Sequence, residues 1–363
     1  ALDFKDLTGA RNALAPHYSH FQDSRRLLLT GHSHKAWPDC GLAAQKQAWL
    51  DSADLVDDKW ENAFARAQRV RQRRAALLDD PQSGHSPSGG NTHELITRLL
   101  SALPMRDRPR LVTTEGEVHT IRRQLDRLGE EGIEVIRVPV EPHDQIAARL
   151  SEATDSRTCL VLASTVLFGS GRIVTGLDRV MAACQRHGAD LLLDTYHQLG
   201  VVPFSLIDNG LSDAFVVGGG YKYLQLGEGN CFLRFPRQRK LRPVLTGWFA
   251  EFESLDQARQ RGKVPYDEGP GQLAGATYDP VSHYRAAAVF DFFAEEGLTP
   301  GLLRRVSQHQ IGRLAAAFDD LGLPPELIDR DRTLPLEKLA GFLVLASPRA
   351  REFCRALRQE GVY

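Results

Sequence analysis

An acid, an imidazole and an amine follow two apolar runs that lie close together in the chain. Asp194 lies at the end of the run 190–195 ("DLLLDT"), and His197 follows three residues later. A second run, 214–219 ("AFVVGG"), leads through glycines to Lys222. In open α/β sheets, ligands bind outside the carboxyl ends of the strands. The three side chains are therefore expected to face one crevice.

One cofactor chemistry uses a lysine and a carboxylate in this way. Pyridoxal phosphate forms a Schiff base with a lysine amine, a role that suits Lys222. A carboxylate beside its pyridine nitrogen keeps that nitrogen protonated, a role that suits Asp194. Its phosphate needs donors, often at a helix N-terminus. Taken singly, Asp194 could equally cap a helix, and His197 could be a structural histidine; the combination favours the cofactor.

The elements that must position these residues alternate along the chain. Continuous apolar strands separated by amphipathic helices are typical of a mainly parallel sheet covered on both faces, which is an α/β fold. The glycines before Lys222 permit a sharp turn or the close approach of a ligand. Strands are predicted over 26–31, 110–115, 133–140, 158–165, 190–195, 214–219 and 231–235.

Beyond about residue 245 the pattern changes to long helices. This change predicts a smaller α+β domain at the C-terminal end, with a further strand at 341–347 and another beginning at 361–363. Helices are predicted over 280–297, 301–322 and 348–361. The chain is therefore divided into an N-terminal segment lining the active site (1–40), a large domain (41–245) and a small domain (246–363), whose last strand is expected to continue beyond Tyr363.

Composition excludes several classes of function. The chain has 363 residues and a net charge of −1, which argues against a general nucleic-acid or acidic-membrane surface. No run approaches the length of a membrane-spanning helix. The five cysteines are scattered without zinc or redox-motif spacing, as in reduced cytosolic proteins, so we expect a cytoplasmic protein without a metal site.

Two segments resemble a known family. "DTYHQLGVVPFSL" (194–206) and "DAFVVGGGYKYLQLGEGNCFLRF" (213–235) are similar to the kynureninase branch of the fold-type I pyridoxal-phosphate enzymes, which is related to the class V aminotransferases. Weaker similarity extends over about 27–300. The resemblance implies a large cofactor-binding domain with a mainly parallel sheet, a smaller α+β domain, and a homodimer with shared active sites.

The resemblance assigns roles at the cofactor. Lys222 would be the Schiff-base lysine and Asp194 the partner of the ring nitrogen. His197 would lie beside the ring or its 3-oxygen, and Tyr221 would donate to the phosphate. Ser164, in "ASTVLFGSG" (163–171), would contact cofactor or substrate.

Further segments carry roles at the phosphate and the ring face. "SGGNTHELITRLL" (88–100) resembles the phosphate-cradling helix start, so Asn91 and Thr92 are candidates. His119 is the candidate for stacking on the ring. Trp248, in "LTGWF", and Thr277, in "LAGATYDP", would reach the cofactor across a dimer interface.

The N-terminal segment departs from the family pattern. "LLLTGHSHKAWP" (27–38) resembles a family segment that lines the substrate pocket, so Ser33 and His34 are candidate substrate-binding residues. His32 replaces the usual asparagine, which leaves the substrate open. The family's arginine for the substrate α-carboxylate is expected beyond Tyr363 and is not assigned.

The resemblance implies hydrolysis of the Cβ–Cγ bond of kynurenine or a related amino acid, as in tryptophan catabolism, to alanine and an anthranilate-type acid. The freed Lys222 amine would take the Cα proton, and His34 is a candidate for activating water. Transamination and β-elimination remain open, as does a catalytically inactive homologue acting as a binding module. A persulfide-forming desulfurase would need a cysteine on a mobile loop, whereas Cys354 lies in a predicted helix.

Overall fold

A computed structural model describes residues 1–80, 82, 86–257 and 261–363. Within these residues, seven strands form one sheet with the order β1-β7-β6-β5-β4-β2-β3. The predicted α/β architecture with a mainly parallel sheet is confirmed. The strands are β1 (Ser88–Gly89), β2 (Arg110–Thr114), β3 (Glu134–Val138), β4 (Thr158–Ser164), β5 (Asp190–Asp194), β6 (Phe215–Gly218) and β7 (Cys231–Arg234).

Strand pairing sets the positions of the polar residues at the sheet edge. Strands β2 to β6 pair in parallel, and β7 runs antiparallel to both β6 and β1. Ser164 at the end of β4 is directly opposite Asp194 at the end of β5, and Asp194 is opposite Val217 of β6. The carboxyl ends of these three strands therefore meet along one edge.

Helices cover the sheet and connect its strands. The amphipathic stretches that begin at His119 and Leu177 form helices, and Gly188 ends the second of them with a φ of 66°, a conformation that favours glycine. The helices are α1 (Phe4–Thr8), α2 (Asp39–Leu55), α3 (Lys59–Leu78), α4 (Thr92–Ala102), α5 (His119–Glu130), α6 (Ile146–Ala153), α7 (Leu177–His187), α8 (Val281–Glu296), α9 (Pro300–Asp320) and α10 (Ala350–Gln359). No helix in this described part is long and apolar enough to cross a membrane.

The core lies on both faces of the sheet, as alternation along β5 shows. Leu191 and Leu193 pack with Val180 of α7 in one apolar cluster. Leu192 points the other way and packs with Leu95 of α4 in a second cluster. Each fully buried leucine contributes about 1.5–3 kcal/mol. Burial on both faces holds the ends of β5 and β6 in place.

The terminal strand predictions are only partly right. The segment predicted as a strand at 26–31 forms a single parallel bridge, between Leu27 and Val362, and so pairs with the short segment 361–363 outside the main sheet. The segment predicted at 341–347 likewise contributes one bridge, between Asp329 and Ala346. The short strand β1, which has only two residues, was not predicted. The division into three domains stays a prediction.

Candidate active site

Lys222 lies four residues beyond β6, and its amine is enclosed by polar groups. Its Nζ donates to the carbonyl of His32 at 2.8 Å and lies 3.0 Å from Nε2 of His197. The residue is 9% exposed. Burial lowers the pKa of the amine to about 8, although the charge of Asp194 opposes this shift. A substantial fraction of the amine is therefore neutral near physiological pH.

Asp194 ends β5 as a buried carboxylate. One oxygen accepts a hydrogen bond from the backbone N–H of Tyr196 at 2.9 Å. Burial raises the pKa of the carboxyl to about 6, against the smaller effects of this hydrogen bond and of Lys222. In the described part of the chain, Asp194 takes part in no ion pair within 4.0 Å. The carboxylate is thus short of a cationic partner.

His197 is held as a neutral imidazole beside the amine. Burial lowers the pKa of its ring to about 3, and the charge of Lys222 adds to this effect. The ring packs against Phe168 and Phe342, with centroid distances of 5.7 and 5.8 Å. A neutral Nε2 is able either to accept from the Lys222 ammonium or to donate to the free amine.

The glycines before Lys222 make room for the protein's own side chains. A Cβ on Gly219 would overlap the ring of Tyr196, and one on Gly220 would overlap Leu226. The Tyr196 ring lies below Lys222, with Nζ 5.4 Å from its centroid. Sequence reasoning assigned no role to Tyr196. The sequence signal that could have found it was a bulky aromatic residue two positions after Asp194, together with the glycines at 218–220, of which Gly219 makes room for the ring.

Ser164 belongs to a buried network that the sequence prediction missed. Its hydroxyl donates to Oε2 of Glu117 at 2.6 Å, and Thr114 donates to Oε1 at 2.7 Å. Burial raises the pKa of Glu117 to about 7, with a smaller contribution from the negative charge of Asp194. Glu117 is therefore an acidic group close to the candidate cofactor site, and the prediction for the same segment had named only His119.

Asn91 and Thr92 stand at the start of α4, as predicted. The Asn91 side chain caps the helix by accepting from the N–H of Glu94 at 2.9 Å. The N–H of Gly90 donates to Oε2 of Glu94, also at 2.9 Å. The Glu94 carboxylate therefore takes the place that an anionic ligand would have at the N–H of Gly90.

His119 begins α5 and is exposed. Its ring meets the edge of Phe168 at 6.1 Å, and Phe168 in turn contacts His197. The structure therefore places His119 on the same side of the crevice as His197, with Phe168 between them.

The N-terminal segment closes over Lys222. Besides the bond from Lys222 to His32, the N–H of Lys35 donates to the carbonyl of Tyr221 at 3.1 Å. His34 stacks on Tyr221 at 4.8 Å. Ser33 turns back within its own loop, where its hydroxyl donates to the carbonyl of Thr30.

Trp248 and Thr277 have contacts with other parts of the chain. Trp248 is 44% exposed and packs edge-on against Phe249. Thr277 is exposed and lines a cavity of about 810 Å³, which is also lined by Gly89 and Gly90. Within one chain, Thr277 therefore shares a cavity with the predicted phosphate segment.

Four of the predicted site residues lie together in one compact group. Lys222, Asp194, His197 and Tyr221 converge at the ends of β5 and β6, and Ser164 adjoins them through strand pairing. No cluster of potential metal ligands occurs among the residues that the structure describes. The group offers a buried amine of lowered pKa, a buried carboxyl of raised pKa and a neutral imidazole.

No family model matches the chain. Among curated proteins, it is 31% identical over 140 residues to a 2-aminoethylphosphonate–pyruvate transaminase of Burkholderia ambifaria, a match that covers 37% of this chain and 36% of the relative. It is 27% identical over 175 residues to a kynureninase of Xanthomonas campestris, a match that covers 47% of this chain and 39% of that relative. The matched segments thus span well under half of these relatives.

Solved structures show the fold over almost the whole chain. A cysteine desulfurase of Thermococcus onnurineus superposes with a TM-score of 0.76 at 16% identity, covering 93% of this chain and 83% of that one. A lysine-to-alanine mutant of C-DES, with glycine covalently linked to its PLP cofactor, gives 0.80 at 16% identity, covering 96% and 90%. The fold is that of the fold-type I PLP enzymes. At this level the chain is similar to the class V aminotransferase-like superfamily, without kynureninase being singled out.

Proposed function

We propose that this protein is a pyridoxal-phosphate enzyme that acts on a small amino acid, with hydrolysis of the Cβ–Cγ bond of kynurenine or a related compound as the favoured reaction. The observation that carries the proposal is the buried Lys222 amine. Its lowered pKa of about 8 leaves it partly neutral near pH 7, as a nucleophile and a base must be.

The donor set fits the cofactor. Asp194 is a buried carboxylate without an ion-pair partner among the described residues, and a protonated pyridine nitrogen is a partner of the right charge. At the start of α4, a phosphate would take the place of the Glu94 carboxylate as the acceptor of the Gly90 N–H. Tyr221 and Thr92 lie within the same region as further donors.

Bound to a lysine, pyridoxal phosphate supplies an electron sink that stabilises negative charge at the substrate Cα. Lys222 would hold the cofactor and, once released, move the Cα proton. Asp194 would hold the proton at the ring nitrogen. His197, neutral and 3.0 Å from Nζ, would orient the amine by accepting a hydrogen bond from it.

The choice of reaction rests on the N-terminal segment and the kynureninase match. Hydrolysis needs a group that orients water at the substrate ketone. His34 is exposed above Tyr221 and is the candidate. Its ring also lies 3.5 Å from a carboxylate oxygen of Glu228, which would fix the orientation of the imidazole.

Transamination is the second candidate, because the match to 2-aminoethylphosphonate–pyruvate transaminase has the higher identity, 31% over 37% of the chain against 27% over 47% for the kynureninase. Lys222 and Asp194 serve both reactions equally. Desulfuration is disfavoured, since Cys354 lies within α10 and the other four cysteines are buried or half-buried.

The first experiment tests the cofactor. We expect the purified protein, mixed with pyridoxal phosphate, to show the visible absorption band of lysine-bound cofactor. Lys222→Ala should abolish the band, whereas the exposed control Lys240→Ala should keep it. A band that survives Lys222→Ala would contradict the proposal. It would also rule out Lys222 as the attachment site of an inactive binding module.

The second experiment identifies the reaction. With kynurenine as substrate, hydrolysis gives alanine and anthranilate. Transamination gives a keto acid with an aminated acceptor, and elimination from a suitable amino acid gives pyruvate and ammonia. If the protein converts kynurenine to anthranilate and His34→Ala lowers this turnover at least about tenfold, the favoured reaction is supported. A loss of this size is expected when a general base is removed.

A further inference from the structure

Glu117 is a buried acid to which the proposed reaction gives no role. It lies in the loop between β2 and α5 and is 9% exposed. Its Oε1 accepts from the hydroxyl of Thr114 at 2.7 Å and from the backbone N–H of Ser164 at 3.2 Å. Its Oε2 accepts from the hydroxyl of Ser164 at 2.6 Å. The two carboxyl oxygens therefore have different kinds of partner.

The donors at Oε1 are fixed, whereas the one at Oε2 can reverse. A backbone N–H has no acceptor function, so Ser164 N–H always donates to Oε1. Oγ1 of Thr114 already accepts from the N–H of Gly116 at 3.2 Å, and its own proton goes to Glu117. The hydroxyl of Ser164 is able either to donate or to accept. A proton taken up by Glu117 is therefore expected on Oε2, from which it is donated to Ser164.

Glu117 takes up this proton near neutral pH. Burial is the largest effect and raises the pKa of the carboxyl to about 7, and the negative charge of Asp194 acts in the same direction. The hydrogen bonds from Ser164 and Thr114 act in the opposite direction. Both protonation states of Glu117 are consequently accessible around pH 7.

The charged groups around Glu117 come from β5, α5, β3 and its own loop. They are Asp194, Arg122, Asp126, Arg137 and Glu115, the last four of which line a cavity of about 210 Å³ beside Glu117. Arg122 and Arg137 both pair with Asp126, at 3.0 and 2.5 Å. The two guanidinium groups nearest to this loop are thus engaged with another acid.

Ser164 points to the side of the sheet on which the ligand is expected. It lies directly opposite Asp194, at the ends of β4 and β5. Leu162 and Leu192, two positions earlier on each strand, belong to the apolar cluster that contains Tyr196. Because side chains alternate between the two faces of a strand, Ser164 and Asp194 share that face. Ser164 therefore lies beside the carboxyl that is proposed to meet the cofactor ring.

We propose that Glu117 is a positioning residue that decides whether the hydroxyl of Ser164 accepts a hydrogen bond from the bound ligand or donates one to it. When Glu117 is ionised, the single hydroxyl proton of Ser164 goes to Oε2, so Ser164 offers the ligand only an acceptor. When Glu117 has taken a proton from solvent, Oε2 donates to Ser164, and the Ser164 proton turns to the ligand. The inference rests on the proposed function, because the ligand is the cofactor or the amino acid bound to it.

Infrared titration of the cofactor-free protein tests the carboxyl itself. We expect the C=O stretch of a protonated carboxyl to disappear with a midpoint at about pH 7. Glu117→Gln should remove this titration, whereas Glu115→Gln, at an exposed acid of the same loop, should keep it. Asp194→Asn should lower the midpoint, because it removes a negative charge. If Glu117→Gln leaves every carboxyl titration in the spectrum unchanged, the inference is overturned.

A second variant keeps this test decisive if Glu117→Gln does not fold. Ser164→Ala removes the hydroxyl that donates to Oε2, a bond that lowers the pKa of Glu117. We therefore expect Ser164→Ala to raise the midpoint of the carboxyl titration in the cofactor-free protein. An unchanged midpoint would show that Ser164 and Glu117 are not coupled, and would contradict the inference.

The cofactor-loaded protein reports the direction of the bond to the ligand. In Glu117→Gln the amide oxygen replaces Oε1, and the amide N–H replaces Oε2 and donates to Ser164 at every pH. A hydroxyl that donates stabilises the deprotonated form of a ligand group. We expect the proton affinity measured from the pH titration of the visible band to fall at least about threefold in Glu117→Gln.

A double variant distinguishes positioning from a purely structural role. If Glu117 acts through Ser164, Glu117→Gln should leave the titration of the visible band unchanged when Ser164→Ala is also present. Glu115→Gln should have no effect in either background. An equal change with and without the Ser164 hydroxyl would contradict the positioning role.

The two kinds of measurement separate this inference from the proposed function. A visible band that depends on Lys222 but does not respond to Glu117→Gln keeps the proposed function and contradicts the role of Glu117. A protein that forms no lysine-bound cofactor contradicts the proposed function and, with it, the contact of Ser164 with that ligand. The infrared titration then still shows whether Glu117 and Ser164 exchange the proton.

Discussion

At the residue scale, burial shifts the two central groups toward their neutral forms. It lowers the pKa of the Lys222 amine to about 8 and raises that of the Asp194 carboxyl to about 6. Each group is thereby prepared for a partner that is not part of the chain. The amine is ready to attack an aldehyde, and the carboxylate is ready to meet a protonated ring nitrogen.

The first prediction concerns the pH dependence of cofactor attachment. Because the amine reacts only when it is neutral, the rate of covalent attachment of pyridoxal phosphate should rise with pH up to about 8 and then level off. Stopped-flow absorbance between about pH 6 and pH 10 measures this rate of attachment. A rate that keeps rising to about pH 10 would mean that Lys222 has an ordinary lysine pKa.

The second prediction concerns the stability of the cofactor-free protein. Asp194 has a raised pKa, so between about pH 4 and pH 6 the folded state binds a proton that the unfolded state does not. Stability therefore falls as pH rises through this window, and the charged carboxylate is unfavourable above it. Asp194→Asn should stabilise the cofactor-free protein at about pH 7 by about 1–3 kcal/mol and have little effect at about pH 4.

Urea unfolding at the two pH values measures this difference, with the exposed Asp208→Asn as the control. The same Asp194→Asn variant should bind pyridoxal phosphate more weakly, because the ring nitrogen loses its counter-ion. A variant that is less stable at neutral pH than the unchanged protein would show that Asp194 already has a favourable partner.

At the element scale, the site depends on how closely the chain after β6 approaches the chain after β5. Gly219 lies against the ring of Tyr196, and no other residue type leaves that space. The contact places the Tyr196 ring beneath Lys222 and so sets the depth of the crevice. The glycines thus serve packing between two strand ends, whereas the sequence had left open a turn or the approach of a ligand.

The third prediction follows from this contact. Gly219→Ala should destabilise the protein by about 1–3 kcal/mol, because the added methyl group overlaps the Tyr196 ring. Combining it with Tyr196→Ala should restore part of the loss, since the smaller side chain vacates the space. Thermal unfolding of the two single variants and the double variant gives the coupling energy. Strict additivity would mean that the two residues do not meet.

At the scale of the whole molecule, the last described residues of the chain pair with the segment 27–29 beside the site. The N–H of Leu29 donates to the carbonyl of Tyr363 at 2.7 Å, and the N–H of Tyr363 donates to the carbonyl of Leu27 at 3.0 Å. This pairing holds the segment whose His32 carbonyl accepts from Lys222. A separate apolar surface, formed by Val244, Leu245 and Trp248, is exposed.

The fourth prediction concerns that surface, which we propose lies at the interface of a homodimer with shared active sites. Val244 is 81% exposed and lies four residues before Trp248, which is also exposed, and exposed apolar side chains that occur together mark interaction surfaces. Sedimentation should show a dimer that Val244→Glu weakens, while Ile207→Glu, at another exposed apolar position, leaves it intact. A protein that sediments as a monomer would contradict the cross-subunit roles proposed for Trp248 and Thr277.

The sequence alone determined the α/β class and six of the strands, because apolar runs are local properties of the chain. It also singled out Asp194, His197 and Lys222 as site candidates by residue type and position, and their roles stay predictions. Only the tertiary structure decided which side chains meet. Tyr196 fits against Gly219, Glu117 bonds Ser164, and Arg74 lies near His283, although these partners are 23, 47 and 209 positions apart. Such contacts depend on strand order and helix packing, which no local pattern in the sequence predicts.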